Sequence, residues 1–398
     1  MSQSKQPKKV GGEVGEVRAN IDVAQLNAYL ARHVPAVKAP VSVKQFKFGQ
    51  SNPTYFLTDS SNIRFVLRKK PAGKLVSKTA HQVEREFTVL NAVHKHNRLP
   101  STSAEHQVPV PEPIVLCEDE AVIGTPFYIM EFLDGRIFTD MQMPDVPLAD
   151  RTECYLSAIR ALAALSSLDP LAIGLSKFGA TTPYFPRQIK SLTRVTLAQA
   201  AVEDIETGKP TGEIPGWDVL LKWYSTHLPD EGKIGTRIVH GDFKLDNLVF
   251  HSTENRVIGI LDWELCTLGS PLADLANLTQ NWVIDRDDLK LPVEQKDSGI
   301  FRGYKNHPED APARLEDLER EYCRVMKLSY PIREMVFARS WMLFRGAVIM
   351  QGIAARFARR QASSERAYLY VQLFPIIGSF ARKVLEEEGY SLGPEAKL

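Results

Sequence analysis

Two apolar runs separated by a charged insert constrain this chain more than any other stretch. Residues 238–250 read IVHGDFKLDNLVF, and Ile238-Val239 and Leu248-Val249-Phe250 have the β-branched and aromatic character of short buried strands. His240, Asp242, Lys244, Asp246 and Asn247 between them are too polar for a core. They form a loop held by rigid flanks, the kind of place where reactive groups gather. A second apolar run, VIGILDWEL at 257–265, carries Asp262. An acid, an amide and a second acid on neighbouring strand ends suit phosphoryl transfer. One carboxylate accepts or orients a hydroxyl proton, while the amide oxygen and the other carboxylate hold Mg²⁺ on nucleotide phosphates. Mg²⁺ takes few protein oxygens and completes its shell from water and phosphate, which fits so sparse a set.

At 398 residues the chain exceeds what a single core usually organises. From about residue 43 to 134 it reads as strands (VKQFKFG, TYFLTD, IRFVLRKK, VPVPEPIVLC, PFYIMEF) around one helix, with Val83, Phe87, Leu90 and Val93 on its apolar face. Beyond residue 150 helical spacing dominates, and the strand-like 238–262 region sits inside that helical half. The expected class is α+β, with a sheet-rich N-lobe over 21–134 and a mainly helical C-lobe over 135–389. Residues 1–20 and 390–398 read as tails. A formal net charge of +1 argues against nucleic acid as the main partner. Cys117, Cys154, Cys266 and Cys323 show no C-x-x-C pairing, which argues against a disulfide framework or zinc and suits a reducing compartment. No apolar run reaches spanning length, the longest being broken by Arg345. Soluble and intracellular is the expectation.

HGDFKLDN has the H-x-D-x-x-x-x-N spacing of a kinase catalytic loop, and ILDWE occupies the place of D-F-G. Together they resemble the aminoglycoside and choline phosphotransferase families rather than protein kinases. QFKFGQSNPTYFL, FVLRKKPAGKL, VEREFTVL, YIMEFLDG, RQIKSLTR and GSPLADLANL extend the likeness to the branch fused to acyl-CoA dehydrogenases, over roughly residues 20–385. The resemblance implies a two-lobed, protein-kinase-like fold using ATP and Mg²⁺. It makes Asp242 the catalytic base or orienting carboxylate, Asn247 and Asp262 the metal ligands, and His240 a brace for the loop. Lys244 either sits on the transferring phosphate or is simply solvated.

On the nucleotide side, FVLRKK maps onto the kinase V-A-I-K strand. Strand parity then turns Arg68 to the phosphates, paired with Glu86, and leaves Lys69 and Lys70 solvated. An Arg there offers a permanently charged fork in place of a point charge. Gly49, Ser51 and Asn52 would cover the phosphates, and the backbone near Glu131 and Leu133 would pair with adenine. Gly241 replaces the Arg of H-R-D, Trp263 the Phe of D-F-G, and no A-P-E follows, so a phospho-switched protein kinase is not expected.

The resemblance implies a small-molecule acceptor. Arg187, Lys190 and Arg194, with Arg345, Gln351 and Arg356, form basic helix faces that are either solvated surface and capping charges, the better reading of any single Arg, or a site for an anionic acceptor, for which the fused relatives imply a hydroxyacyl coenzyme A thioester. An amino alcohol, sugar or aminoglycoside-like acceptor is the alternative, as is a nucleotide-binding pseudokinase without turnover. The final Ala396-Lys397-Leu398 is a variant of the S-K-L address read by the peroxisomal import receptor, so the expected location is the peroxisome, otherwise the cytoplasm.

Overall fold

The computed structural model describes residues 14–15, 21–46, 52–71, 82–289, 302–362 and 366–393. Gly49 and Ser51 lie outside the described residues, as do Ala396, Lys397 and Leu398 and most of the 1–20 tail. By its internal contacts the chain divides into two compact units, Met1–Gly179 with His240–Thr267, and Ala180–Val239 with Leu268–Leu398. The 238–250 loop therefore falls almost wholly in the same unit as the N-terminal strands. This division differs from the break at residues 134/135 drawn from the sequence.

The first unit is built on a six-stranded sheet: Val14–Gly15 (β1), Ser42–Phe46 (β2), Thr54–Thr58 (β3), Arg64–Lys69 (β4), Pro113–Cys117 (β5) and Phe127–Glu131 (β6), in the order β1-β2-β3-β4-β6-β5. Its pairings are antiparallel, with Phe56 opposite Val66 and Val66 opposite Met130. Alternate residues point to opposite faces. Tyr55, Leu57, Phe65, Leu67, Phe127 and Ile129 share a buried cluster with Leu26 and Leu30 of the helix Val23–His33 (α1). Val66 and Arg68 are left for the other face. There the helix Val83–Asn97 (α2) packs against β5 and β6, burying Val83, Glu86, Val89, Leu90 and Val93.

The turn between β3 and β4 is held by Asp59. One carboxylate oxygen accepts the N–H groups of Ser61 (2.8 Å) and Ile63 (2.9 Å), and the other accepts that of Lys38 at 3.1 Å. Burial alone would raise the Asp59 pKa, but the three N–H donors outweigh it and hold it below the ordinary value. Asp59→Ala should therefore cost about 1–3 kcal/mol, the scale of hydrogen bonds to a charged group, since three part-buried N–H groups lose their acceptor. Because the folded pKa is depressed, the stabilisation is fully present above about pH 4 and is lost as the pH falls through the lowered value. Urea unfolding of both proteins between pH 3 and 7 checks this: the gap between them should close at the acid end.

A small sheet in the same unit orders Val257–Ile260, Leu248–His251 and Gly135–Arg136. A Cβ at Gly135 would lie 2.1 Å from the Phe250 carbonyl oxygen, so this close approach of strands admits only glycine. Arg136 donates from Nε to the His251 carbonyl at 2.9 Å, and Ser157 Oγ, on helix Leu148–Ser167, accepts the Val257 N–H at 2.9 Å.

The second unit is mainly helical, with Tyr184–Ala200, Trp217–Thr226, Leu272–Leu278, Leu315–Met326, Met335–Ala358 and Tyr370–Glu387. Helix 335–358 packs against 184–200, 272–278 and 370–387. Phe185, Tyr224, Phe337, Trp341 and Phe344 form an aromatic centre with ring centroids 4.8–6.5 Å apart. All four cysteines are buried and unbridged. Among the described residues, no helix is long and apolar enough to cross a membrane.

Candidate active site

Strand Arg237–Val239 leads into the catalytic-type loop. His240 is wholly buried, with Nε2 2.8 Å from the Leu261 carbonyl and Nδ1 accepting the Asp242 N–H at 3.2 Å. That pairing assigns the ring proton to Nε2, and the ring also packs against Trp263. His240 ties the two apolar runs together and has no ring nitrogen left for proton transfer. Gly241 has φ +86°, and a Cβ there would sit 2.7 Å from the Leu265 carbonyl oxygen. An arginine cannot occupy this position without moving the backbone, which accounts physically for H-G-D where protein kinases have H-R-D.

Asn247 donates from Nδ2 to the Asp242 carbonyl (2.8 Å) and to Asp242 Oδ2 (3.0 Å). Lys244 Nζ lies 3.3 Å from the same Oδ2. Both neighbours thus load one oxygen, Oδ2, and neither of these contacts uses Oδ1. The amide geometry also leaves Asn247 with its side-chain oxygen as the atom for a cation. Lys244 Nζ is 3.4 Å from Asp246 Oδ2 as well. Burial weighs against its charge, but Asp242 and Asp246 outweigh burial and raise its pKa. Asp262 stands at φ +65°, ψ +60°, a left-handed conformation that a non-glycine residue keeps only where its surroundings enforce it.

Arg68 joins this loop to the sheet. Its Nη2 donates to Asp262 Oδ1 at 3.0 Å, and its Nε is 3.4 Å from Glu86 Oε2. Glu86 also accepts from Asn52 Nδ2 (2.7 Å) and the Tyr128 hydroxyl (2.9 Å). Burial pushes the Glu86 carboxyl up, while Arg68 and Tyr128 pull against it. For Arg68, burial opposes the charge but Glu86, Tyr128 and Asp262 raise its pKa further, so the guanidinium stays ionised.

A cavity of about 160 Å³ opens beside Arg68, lined by Phe46, Val66, Met130, Phe132, Leu133 and Leu261 among others. Glu131 also lines it, with its side chain accepting the Glu112 N–H at 3.1 Å and its own N–H donating to the Glu112 carbonyl at 2.9 Å.

The donor set fits a nucleotide with a divalent metal. Asp242, Asp246, Asp262 and Glu86 outnumber Lys244 and Arg68, so the site carries excess negative charge that a cation would offset. Arg68 Nε is turned to Glu86 Oε2 at 3.4 Å, which leaves the terminal guanidinium nitrogens as the donors that a phosphate oxygen would meet.

Several expectations need correcting. The Asn52 side chain is buried on Glu86 and is not turned to phosphate. Lys69 is buried, its ammonium donating to the Ile123 carbonyl at 3.1 Å, with burial lowering its pKa. Lys70 pairs with Glu84. In the second unit Arg187 is spent on backbone carbonyls, Leu268 among them at 2.9 Å. Gln351 is buried between Thr196 and the Gly212 carbonyl, so neither residue presents itself to an acceptor. Asp246 stands in the polar insert without a role assigned from sequence, and the Tyr128 hydroxyl is an addition of the structure, although strand parity across β4 and β6 sets Tyr128 opposite Arg68.

The model of the phosphotransferase enzyme family matches residues 42–329. The chain belongs to the phosphotransferase enzyme family. This phosphotransferase is 40% identical over 341 residues to "Probable acyl-CoA dehydrogenase IBR3" of Arabidopsis thaliana, covering 84% of this chain and 38% of that protein. It is 38% identical over 352 residues to acyl-CoA dehydrogenase family member 11 of Rattus norvegicus, covering 87% of this chain and 41% of that one. The chain thus spans about two fifths of the length of these relatives. A crystal structure from Ralstonia eutropha, described as a candidate aminoglycoside phosphotransferase, matches with a TM-score of 0.73 at 35% identity, covering 92% of this chain and 99% of that one. A macrolide 2′-phosphotransferase type I shares the fold at a TM-score of 0.51 and 20% identity, covering 88% and 95%. The phosphotransferase therefore has the kinase-like α+β fold of small-molecule phosphotransferases, sheet-rich toward its N-terminus and helical beyond.

Proposed function

We propose that this phosphotransferase moves the terminal phosphoryl group of ATP, bound with Mg²⁺, onto a hydroxyl of a hydroxyacyl coenzyme A thioester. The observation that carries the chemistry is the loading of Asp242 Oδ2 by both Asn247 and Lys244, which leaves Oδ1 for an incoming hydroxyl. Asp242 orients that hydroxyl and takes its proton as the bond from its oxygen to the γ-phosphorus forms and the bond from that phosphorus to the bridging oxygen breaks, with ADP as the leaving group. Asn247 and Asp262 would hold the metal, while Arg68, fixed by Glu86, meets the phosphates as a rigid cation. The apolar cavity at Met130–Leu133 receives the base, read by the backbone of Glu131 and Leu133. The bound metal nucleotide supplies the phosphoryl group and offsets its charge. The acceptor class is supported by relatives named as acyl-CoA dehydrogenases, in which a segment like this chain makes up part of a longer protein.

Mass spectrometry of products from MgATP with 3-, 4- and 5-hydroxyacyl-CoAs, beside choline, ethanolamine and aminoglycosides, tests the reading. A phosphorylated hydroxyacyl-CoA is expected. Transfer only to the amino alcohols or aminoglycosides would keep the chemistry and reject the thioester. No transfer by folded, nucleotide-binding protein would favour a pseudokinase.

A further inference from the structure

The second aspartate of the loop has no duty in the reaction outlined above. Asp246 Oδ1 is buried without a hydrogen-bond partner among the described residues, and Oδ2 lies 3.4 Å from Lys244 Nζ. Leaving a carboxylate oxygen buried and unpaired is unfavourable, and burial raises the Asp246 pKa even though Lys244 pulls against it, so the lysine is the one cation set against that cost among the described contacts. Lys244 is extended (φ −153°, ψ 165°) and the tight turn Leu245–Asn247 follows, which brings the Asp246 carboxylate back to the lysine. The ammonium ends up between two carboxylates, 3.3 Å from Asp242 and 3.4 Å from Asp246.

A lysine has a long flexible stem and a compact charge. With Asp242 as its lone counter-ion it would close onto that carboxylate, or swing away into water. We propose that Asp246 is a positioning residue that holds the Lys244 ammonium beside Asp242, leaving the base free to take the acceptor's proton. This rests on the phosphotransfer reading above.

Asp246→Asn keeps the shape and removes the charge. In the unliganded protein, acetylation of Lys244 by limiting acetic anhydride, scored by peptide mass spectrometry against the other lysines, should rise severalfold in this variant. With MgATP and any acceptor the panel identifies, or water otherwise, kcat should fall about tenfold while KM for MgATP stays within about twofold. The substitution should cost nothing further in a Lys244→Met background, whereas a purely structural role would cost the same in both. Unchanged Lys244 labelling, or an equal loss on top of Lys244→Met, overturns the proposal. If the unsubstituted protein transfers phosphoryl to nothing, the phosphotransfer reading fails, and the labelling alone decides whether Asp246 positions Lys244.

Discussion

Replacing Asp242 with asparagine should lower kcat by about 10²–10⁴-fold, the range a positioned proton acceptor contributes. The loop should survive the change, because His240 still binds the Leu261 carbonyl and Asn247 still donates to the backbone carbonyl of residue 242. KM for MgATP should move little, since Arg68, the apolar cavity and Asp262 are untouched. Initial rates with the acceptor found by mass spectrometry, alongside thermal melts, separate the two effects. A variant that keeps more than about a tenth of the activity would remove Asp242 from the role of base.

The largest stability loss is expected from Glu86→Ala. Glu86 accepts from Asn52, Tyr128 and, at longer range, Arg68, and it is almost fully buried. Truncation leaves a buried guanidinium with Asp262 as its remaining carboxylate partner and strips an acceptor from two buried donors. Removing one partner of a buried pair costs about 3–5 kcal/mol. Urea unfolding should show a loss of that order. Glu86→Gln, which keeps an acceptor oxygen for Tyr128, should lose less. A loss below about 1 kcal/mol for the alanine variant would mean that the buried ion pair is close to neutral, as replacing such pairs sometimes is.

Much of this could be read from residue order alone, for definable reasons. The period of two in FVLRKK places Val66 and Arg68 on one face, and the antiparallel register keeps them there. The helical half is visible as apolar spacing, and the loop as charge between apolar flanks. What escaped depends on partners distant in sequence. Lys69 follows the parity to the buried face, but nothing local indicates that its ammonium finds the carbonyl of Ile123, 54 residues away. Asn52 reads as a phosphate-loop donor because its partner, Glu86, belongs to another element. Gln351 looks like an exposed polar residue on a helix until Thr196 and Gly212 are brought against it. Composition and period report what faces inward; they do not report which polar groups satisfy one another there.

The chain leaves the first unit after Gly179 and returns to it at His240. During synthesis the N-terminal sheet is therefore complete long before Leu248–His251 and Val257–Ile260 exist to pair beside Gly135–Arg136. Until Asp262 has emerged from the ribosome, the nascent protein has Arg68 and Glu86 but not the full set of Asp242, Asn247 and Asp262. A fragment cut at the first crossing would carry Arg68 and Glu86 without the three loop residues, and the proposed site is completed only with the returning segment.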